Sequence, residues 1–600
     1  MRLTHRRPLA LCAAAALALA APAVAAAHGS GHGHDDHHGK GLRAIQRIVV
    51  VYEENHSFDN LYGGWEGVNG LRRADPAHTT QVNQAGAPYT CLMQNDVNLA
   101  TPPQPATCTD TTTPTSFQSD FTNAPFQIDA PGRIPMTAKT CPAPGVFAAN
   151  GVLDPTGLPG GCTRDLVHRY YQEPYQLNAG KQNRYTTGSD AVGLTQGYYD
   201  TRALPVYKYL HSRHHPPYAI ADDFFQAAFG GSFLNHQWLV AAATPTWPGA
   251  DNSGLTDATH DDLHSVVDAN GMPNNYPLYV SPAGATVKDL ALTASCAPGP
   301  GRGPTPAGVT CGDYAVNTIQ PVSQPYQPGT ANTRKLPLQA APTIGDRLSA
   351  KGVDWAWYSG GWSNAAGNVN APGWTNGTGP APATATNPMP CPDPAAFATA
   401  TWPNCPDKLF QFHHQALNYF ASFAPGTAAR AAHLRDETEF EALAQGSKKH
   451  CALKPVSIIK PIGEENEHPG YTNVSEGSGH LVDLLTAIQN SRCAKDTMVV
   501  VTYDEFGGQW DHVSPPGQGA TPGVHDNMGP GTRIPALVIA PDLRDDFVVD
   551  HVEHDTTSIM ATIEHRFGLR PVTSRDAAVN DLSSVFTAQG PHRHHGHSDR

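Results

Sequence analysis

Apolar β-branched runs that stop abruptly at acidic residues are the dominant pattern of this chain. Ile48, Val49, Val50 and Val51 form one run, closed by Glu54, Asn55, His56 and Asp59. Met498, Val499, Val500, Val501 and Thr502 form another, followed by Asp504-Glu505, Gly507-Gly508 and Asp511-His512. Continuous rather than alternating runs of this kind predict strands buried on both faces, as in a parallel sheet. Strands are predicted at 48–53, 353–358, 456–460, 497–503 and 536–540. Helical spacing falls between and after them. Leu481, Leu484, Leu485 and Ile488 follow i, i+3, i+4, i+7 behind Ser478 as a cap, and Ile559, Ile563 and Phe567 recur every four residues up to Gly568. This order predicts an α/β fold with a central, mostly parallel sheet flanked by helices. No period of the repeat architectures is visible.

The core-like segments are 43–62, 165–240, 335–358, 408–490 and 495–570. Between them, 74–164, 241–334 and 360–407 have little periodicity and read as insertions into a single domain at 43–570, with 571–600 a C-terminal extension. The composition agrees, since 600 residues with only 15% charged side chains, 56 Gly and 54 Pro imply long ordered loops over a core. A formal net charge of −14, with no basic stripe, argues against a nucleic-acid partner.

Residues 1–27 read as a secretory signal peptide: Arg2, Arg6 and Arg7, an Ala/Leu-rich run, then small residues ending in an A-x-A pattern. Arg6-Arg7 also fits twin-arginine export as an alternative to the general secretory route, so the protein is expected outside the cytoplasm, secreted or periplasmic. No other segment is apolar enough to span a membrane. His-rich tracts at 28–42 and 591–600 have the composition of disordered tails. Beyond Cys12, ten cysteines remain as neighbouring couples, and the simplest pairing is sequential: 91–108, 141–162, 296–311, 391–405 and 451–493. No CxxC is present, which disfavours redox catalysis.

In open α/β sheets ligands bind beyond the carboxyl ends of the strands. Glu54, Asn55, Asp504 and Glu505 are therefore placed to share one hard divalent cation through oxygen. Either cluster alone would equally suit a solvated loop or a helix cap. Between them lies FGGSFLNH, 229–236, where a helix starting near Ser232 would aim free N–H groups at an anion. Ser232 is the candidate nucleophile, activated by a base or by the cation, with a simple capping role as its alternative. Histidines supply the third component: His168, His413, His414, His468 and His512. Protonated, they would bind phosphoryl oxygens and one would protonate a leaving group, which centres activity between roughly pH 5 and 7. A zinc-protease site is disfavoured because no HExxH spacing or thiolate accompanies them.

EENHSFDNLYG, GGSFLNH, FHHQALNYF, EHP and YDEFGGQWDHVSPP together resemble the bacterial secreted phosphoesterase family of acid phosphatases and phospholipases C, in the alkaline-phosphatase-like superfamily. The resemblance covers most of 43–570 outside the insertions. It implies a one-metal phosphoesterase passing through a covalent phospho-enzyme. By motif, Glu54, Asn55, Asp504, Glu505 and Ser232 resemble the metal ligands, Ser232 also the nucleophile, and His168, His413, His414 and His468 the phosphate-binding and acid–base histidines. Calcium is the first expectation for the metal, with magnesium, manganese or zinc as alternatives. Phospholipase C members of the family usually carry threonine in the nucleophile segment, so Ser232 looks more like the acid phosphatase branch. The expected activity is thus a secreted acid phosphatase acting on phosphomonoesters of a small molecule. Its rivals are a phospholipase C acting on a lipid phosphodiester and a non-catalytic metal- or surface-binding protein on the same fold.

Overall fold

The computed structural model describes residues 41–93, 121–130, 165–250, 263–282, 287–297, 304–327, 330–366, 410–469 and 471–591, with a few short stretches besides. The signal segment, both His-rich tracts and the couples 141–162 and 391–405 lie outside the described residues, apart from the edges of the tracts. The other three couples are disulfides: Cys91–Cys108, Cys296–Cys311 and Cys451–Cys493.

Eight strands form the main sheet: β1 (Arg47–Glu53), β2 (Tyr218–Ala221), β3 (Trp355–Ser359), β4 (Leu434–Asp436), β5 (Val456–Lys460), β6 (Thr497–Tyr503), β7 (Ala536–Ile539) and β8 (Phe547–Asp550). Their spatial order is β4-β3-β5-β1-β6-β7-β2-β8. Every neighbouring pair is parallel except the two made by β7, which runs against both β6 and β2. The unbroken valine runs explain the centre of this order. Val50 pairs with Ile458 on one side and Val500 on the other, and all three are within 1% of full burial. A strand covered on both faces needs apolar residues at consecutive positions, and β1 and β6 have them. The five predicted strands are present within one or two residues, whereas β2, β4 and β8 escaped the sequence reading and β7 is antiparallel.

Five helices matter for the site: α1 (Gln172–Leu177), α2 (Ser232–Ala241), α3 (Glu437–Gly446), α4 (Val474–Gln489) and α5 (Thr557–Phe567). α2 packs on α5, and α4 on α3. α5 ends at Gly568 in the left-handed conformation, φ +62°, as its sequence predicts. α4 departs from expectation at its start. Asn473 caps it by accepting from the Glu476 N–H, and Ser478 lies inside the helix, where its hydroxyl accepts from Val206 N at 3.2 Å. Among the described residues no helix is long and apolar enough to cross a membrane.

Candidate active site

The central strands deliver the site. β5, β1 and β6 are adjacent and parallel, so their carboxyl ends open on one edge of the sheet. Glu54-Asn55 leave β1 there and Asp504-Glu505 leave β6, with Asp504 N donating to Glu53 O at 3.0 Å. The next piece comes from β2, after which the chain turns at Gly230-Gly231 into α2. Gly230 adopts φ +94°, and a Cβ on Gly231 would sit 2.7 Å from His168 O, so this approach tolerates only glycine. Gly231 takes the cap position and no side chain caps α2. Ser232 is instead the first helical residue, and its Oγ donates to Glu505 Oε1 at 3.2 Å.

Glu54, Asn55, Asp504 and Glu505 are each at most 1% exposed. Glu54 Oε1 is crowded: His414 Nδ1 lies at 2.7 Å, Asn466 Nδ2 donates at 3.0 Å, and the Lys460 ammonium pairs with the same oxygen. By contrast Glu54 Oε2, Asn55 Oδ1 and Asp504 Oδ2 are buried without a hydrogen-bond partner. Buried oxygens are normally satisfied, so three orphans within the predicted ligand set fit a hard cation well. The electrostatics agree. Burial first, and then the Glu54 charge, push Asp504 well above the usual carboxylate range; burial and Asp504 do the same to Glu505. Burial alone would also raise Glu54, but His414 and Lys460 beside it prevail and hold it well below that range.

A cavity of about 440 Å³ opens beside Ser232, walled by His168, His413 and His468 and by Arg169, Tyr276 and Asn317. Tyr276, Asn317 and Asp289 come from the 241–334 insertion. His168 Nδ1 donates to Leu166 O at 2.5 Å, which turns Nε2 toward Glu505 Oε1 at 3.5 Å. His468 is held by Pro469 O at 2.7 Å on Nδ1, accepts from Asn55 Nδ2 at 2.8 Å on Nε2, and stacks on Tyr471. His414 does not join the cavity wall. It turns inward onto Glu54 and stacks on His236 with centroids 4.6 Å apart, so it supports a carboxylate rather than facing substrate.

A ready-made cluster of imidazolium groups is also absent from the free site. Burial drives His168 below its ordinary value and His413 down to about 3, outweighing the opposing pull of Asp165 on His168 and of Glu54 on His413. These rings present neutral nitrogens.

Several residues beside the site were not singled out from sequence. Lys460 reads as an ordinary lysine ending a strand, yet it is 1% exposed against Glu54. His236 lies one turn beyond Ser232, its Nδ1 donating to Ser232 O at 2.8 Å, and with Glu54 and His414 it offers ligand atoms within 4.8 Å of one another. The repeated small-polar spacing in GGSFLNH was the available signal for it. Conversely, Asp59, Asp511 and His512 are drawn away from the cation site by Arg533. His512 Nδ1 contacts Asp59 Oδ2 at 2.5 Å, and Arg533 reaches Asp59 at 3.2 Å and Asp511 at 3.1 Å. This buried network ties the loop after β1 to the loop after β6.

The sequence model of the phosphoesterase family matches residues 45–131 and 146–570. The chain belongs to the phosphoesterase family. Phospholipase C B of Mycobacterium tuberculosis (strain CDC 1551 / Oshkosh) is 35% identical over 161 residues, 23% of this phosphoesterase and 30% of that protein. Non-specific phospholipase C6 of Arabidopsis thaliana is 30% identical over 148 residues, 22% of this chain and 28% of the plant protein. These matches thus span less than a third of either relative. A solved protein of the alkaline phosphatase superfamily from Vibrio parahaemolyticus overlaps 41% of this chain and 51% of its own, at 14% identity and TM-score 0.22, too slight a likeness to refine the fold.

Proposed function

We propose that this phosphoesterase is an exported, metal-dependent acid phosphatase that hydrolyses phosphomonoesters through a phosphoserine at Ser232. The observation that carries the reading is Ser232 itself: a hydroxyl at the start of α2, on the cavity wall, 3.2 Å from Glu505 and amid orphaned buried oxygens. A cation held by Glu54, Asn55, Asp504, Glu505 and Ser232, calcium first or else magnesium, manganese or zinc, would offset phosphoryl charge and favour the serine alkoxide. Ser232 Oγ attacks phosphorus and the bond to the leaving alcohol breaks. The serine proton has an acceptor in Glu505 Oε1, the atom its hydroxyl already faces. The uncapped N-terminus of α2 presents N–H groups to the phosphoryl oxygens. The departing alkoxide takes its proton from water in the cavity, and His413 and His468, on the cavity wall, are placed to guide the water that then cleaves the phosphoserine.

The monoester preference rests on the cavity wall. Among the described residues, Arg169, Tyr276, Asn317, Asp165, Asp289 and the histidines make most of that wall polar, as suits a small charged ester. The second reading, a phospholipase C, is favoured by the names of the curated relatives. A chromogenic phosphomonoester assayed beside a chromogenic phosphocholine diester separates the two. Monoester turnover at least tenfold faster supports the phosphatase, the reverse order supports the phospholipase, and silence on both favours a non-catalytic binding role. Ser232→Ala is expected to lose several orders of magnitude in kcat with metal content near normal, because four other ligands remain. A variant retaining a tenth of kcat would rule Ser232 out as the nucleophile.

A further inference from the structure

Glu173 lies outside the cavity wall and outside the ligand set, in the first turn of α1, and is completely buried. Its two carboxylate oxygens collect four donors. Oε2 accepts from Gly230 N at 2.6 Å and from Gln226 Nε2 at 2.8 Å; Oε1 accepts from Thr532 N at 2.7 Å and Thr532 Oγ1 at 2.8 Å. Gly230 stands two residues before Ser232, in the turn that sets the entry of α2. Gln226 carries the linkage onward: its Oε1 accepts from Phe506 N at 2.9 Å, the residue following Glu505, while its Nε2 also reaches Ala228 O at 2.8 Å. One buried carboxylate and one buried amide therefore join the loop holding Ser232 to the loop holding Asp504 and Glu505. Gly531 leaves room for the pair, since a Cβ there would fall 2.8 Å from Gln226 Nε2 and collide with Glu173 Oε1.

We infer that Glu173 is a positioning residue for the phosphoryl-transfer step, fixing Ser232 against Glu505 through Gly230 and Gln226. The inference rests on Ser232 as nucleophile. Its physical basis is the number and kind of donors. Two backbone N–H groups and an amide NH₂ can only donate, so they need both carboxyl oxygens as acceptors, and these bonds oppose the burial that raises the Glu173 pKa to about 7. A glutamine in its place must turn an NH₂ toward donors, which opens the Gly230 turn or the contact to Thr532. Displacing a reacting group by about 1 Å is enough to lower a rate by about a hundredfold. Cavity-wall groups such as Asn317 and Tyr276 are not part of this linkage.

The test compares Glu173→Gln, Gln226→Ala and Ser232→Ala in the full-length, metal-loaded protein, with a chromogenic monoester as substrate. Each variant is checked for thermal midpoint and bound metal. The expected result is a folded Glu173→Gln with wild-type metal content, kcat lowered about 10- to 100-fold and KM changed less than about threefold. Gln226→Ala shifts kcat in the same direction, and it decides the matter if Glu173→Gln fails to fold. A kcat within twofold of wild type in both folded variants, or a loss matched by the loss of folded protein or metal, overturns the inference. If Ser232→Ala stays active, the nucleophile assignment fails on its own. If Ser232→Ala is dead while Glu173→Gln and Gln226→Ala are fully active, only the role of Glu173 fails.

Discussion

Single residues at the edge of the sheet make up most of the candidate site, and they were legible to different degrees. Glu54, Asn55, Asp504 and Glu505 could be picked out because carboxylates directly after valine runs are conspicuous. Lys460 could not, because a lysine closing VSIIK looks like a solvated end until burial beside Glu54 is seen. His414 was legible as a site residue but not in its orientation, since adjacent histidines point to different places and only packing decides which faces the cavity. Asp504 supplies the residue-scale prediction. Its Oδ2 is an orphaned buried oxygen, and Asp504→Asn removes one formal charge from the ligand set while keeping its shape. Metal affinity and activity should fall together, with partial rescue by added metal, as read by bound-metal analysis of purified protein. Equal occupancy in mutant and wild type would remove Asp504 from the ligands.

Elements were legible where their residues are uniform and hidden where they are short. β1 and β6 announce themselves through consecutive β-branched residues. β4 has three residues and β8 four, too few for any period to show, and the reversed direction of β7 has no local signature at all. The loop after β6 illustrates how an element edge shapes the site. Gly507 has φ +64°, and a Cβ on it would collide with the backbone carbonyl oxygen of Asn55. Gly507→Ala therefore combines an unfavourable left-handed conformation, about 1–2 kcal/mol, with displacement of the opposite loop. The expected outcome is a lower denaturant midpoint together with weakened metal binding. A variant with unchanged midpoint and metal affinity would show that the two loops give way freely.

At the scale of the whole molecule, buried charge makes stability depend on pH. His480 of α4 lies between Glu437, at 3.0 Å from Nε2, and Glu465, at 3.8 Å from Nδ1. Burial alone would lower its pKa, but Glu437 and then Glu465 outweigh burial and raise it from 6.5 to about 10. The folded state thus holds this proton more tightly than the unfolded chain. Its stabilising contribution is complete below about pH 6.5 and is lost as pH climbs through about 10. Thermal midpoints measured from pH 6 to 10 should fall with rising pH, and His480→Gln should flatten that slope. A slope unchanged in the variant would assign the effect to other groups.

The order of strands in the sheet also fixes when the site can exist during synthesis. Both neighbours of β1, the strands β5 and β6, come about 400 to 450 residues later in the chain than β1 itself. At a ribosomal pace of about 5–20 residues per second, the valine run of β1 waits tens of seconds with neither edge covered. An uncovered apolar strand is a template for pairing with the wrong chain, so this period is the one in which a chaperone matters most. The same delay is protective. Glu54 meets Asp504 only after the roughly 450 residues between them have been made, so the proposed phosphoester site does not exist while they are still emerging.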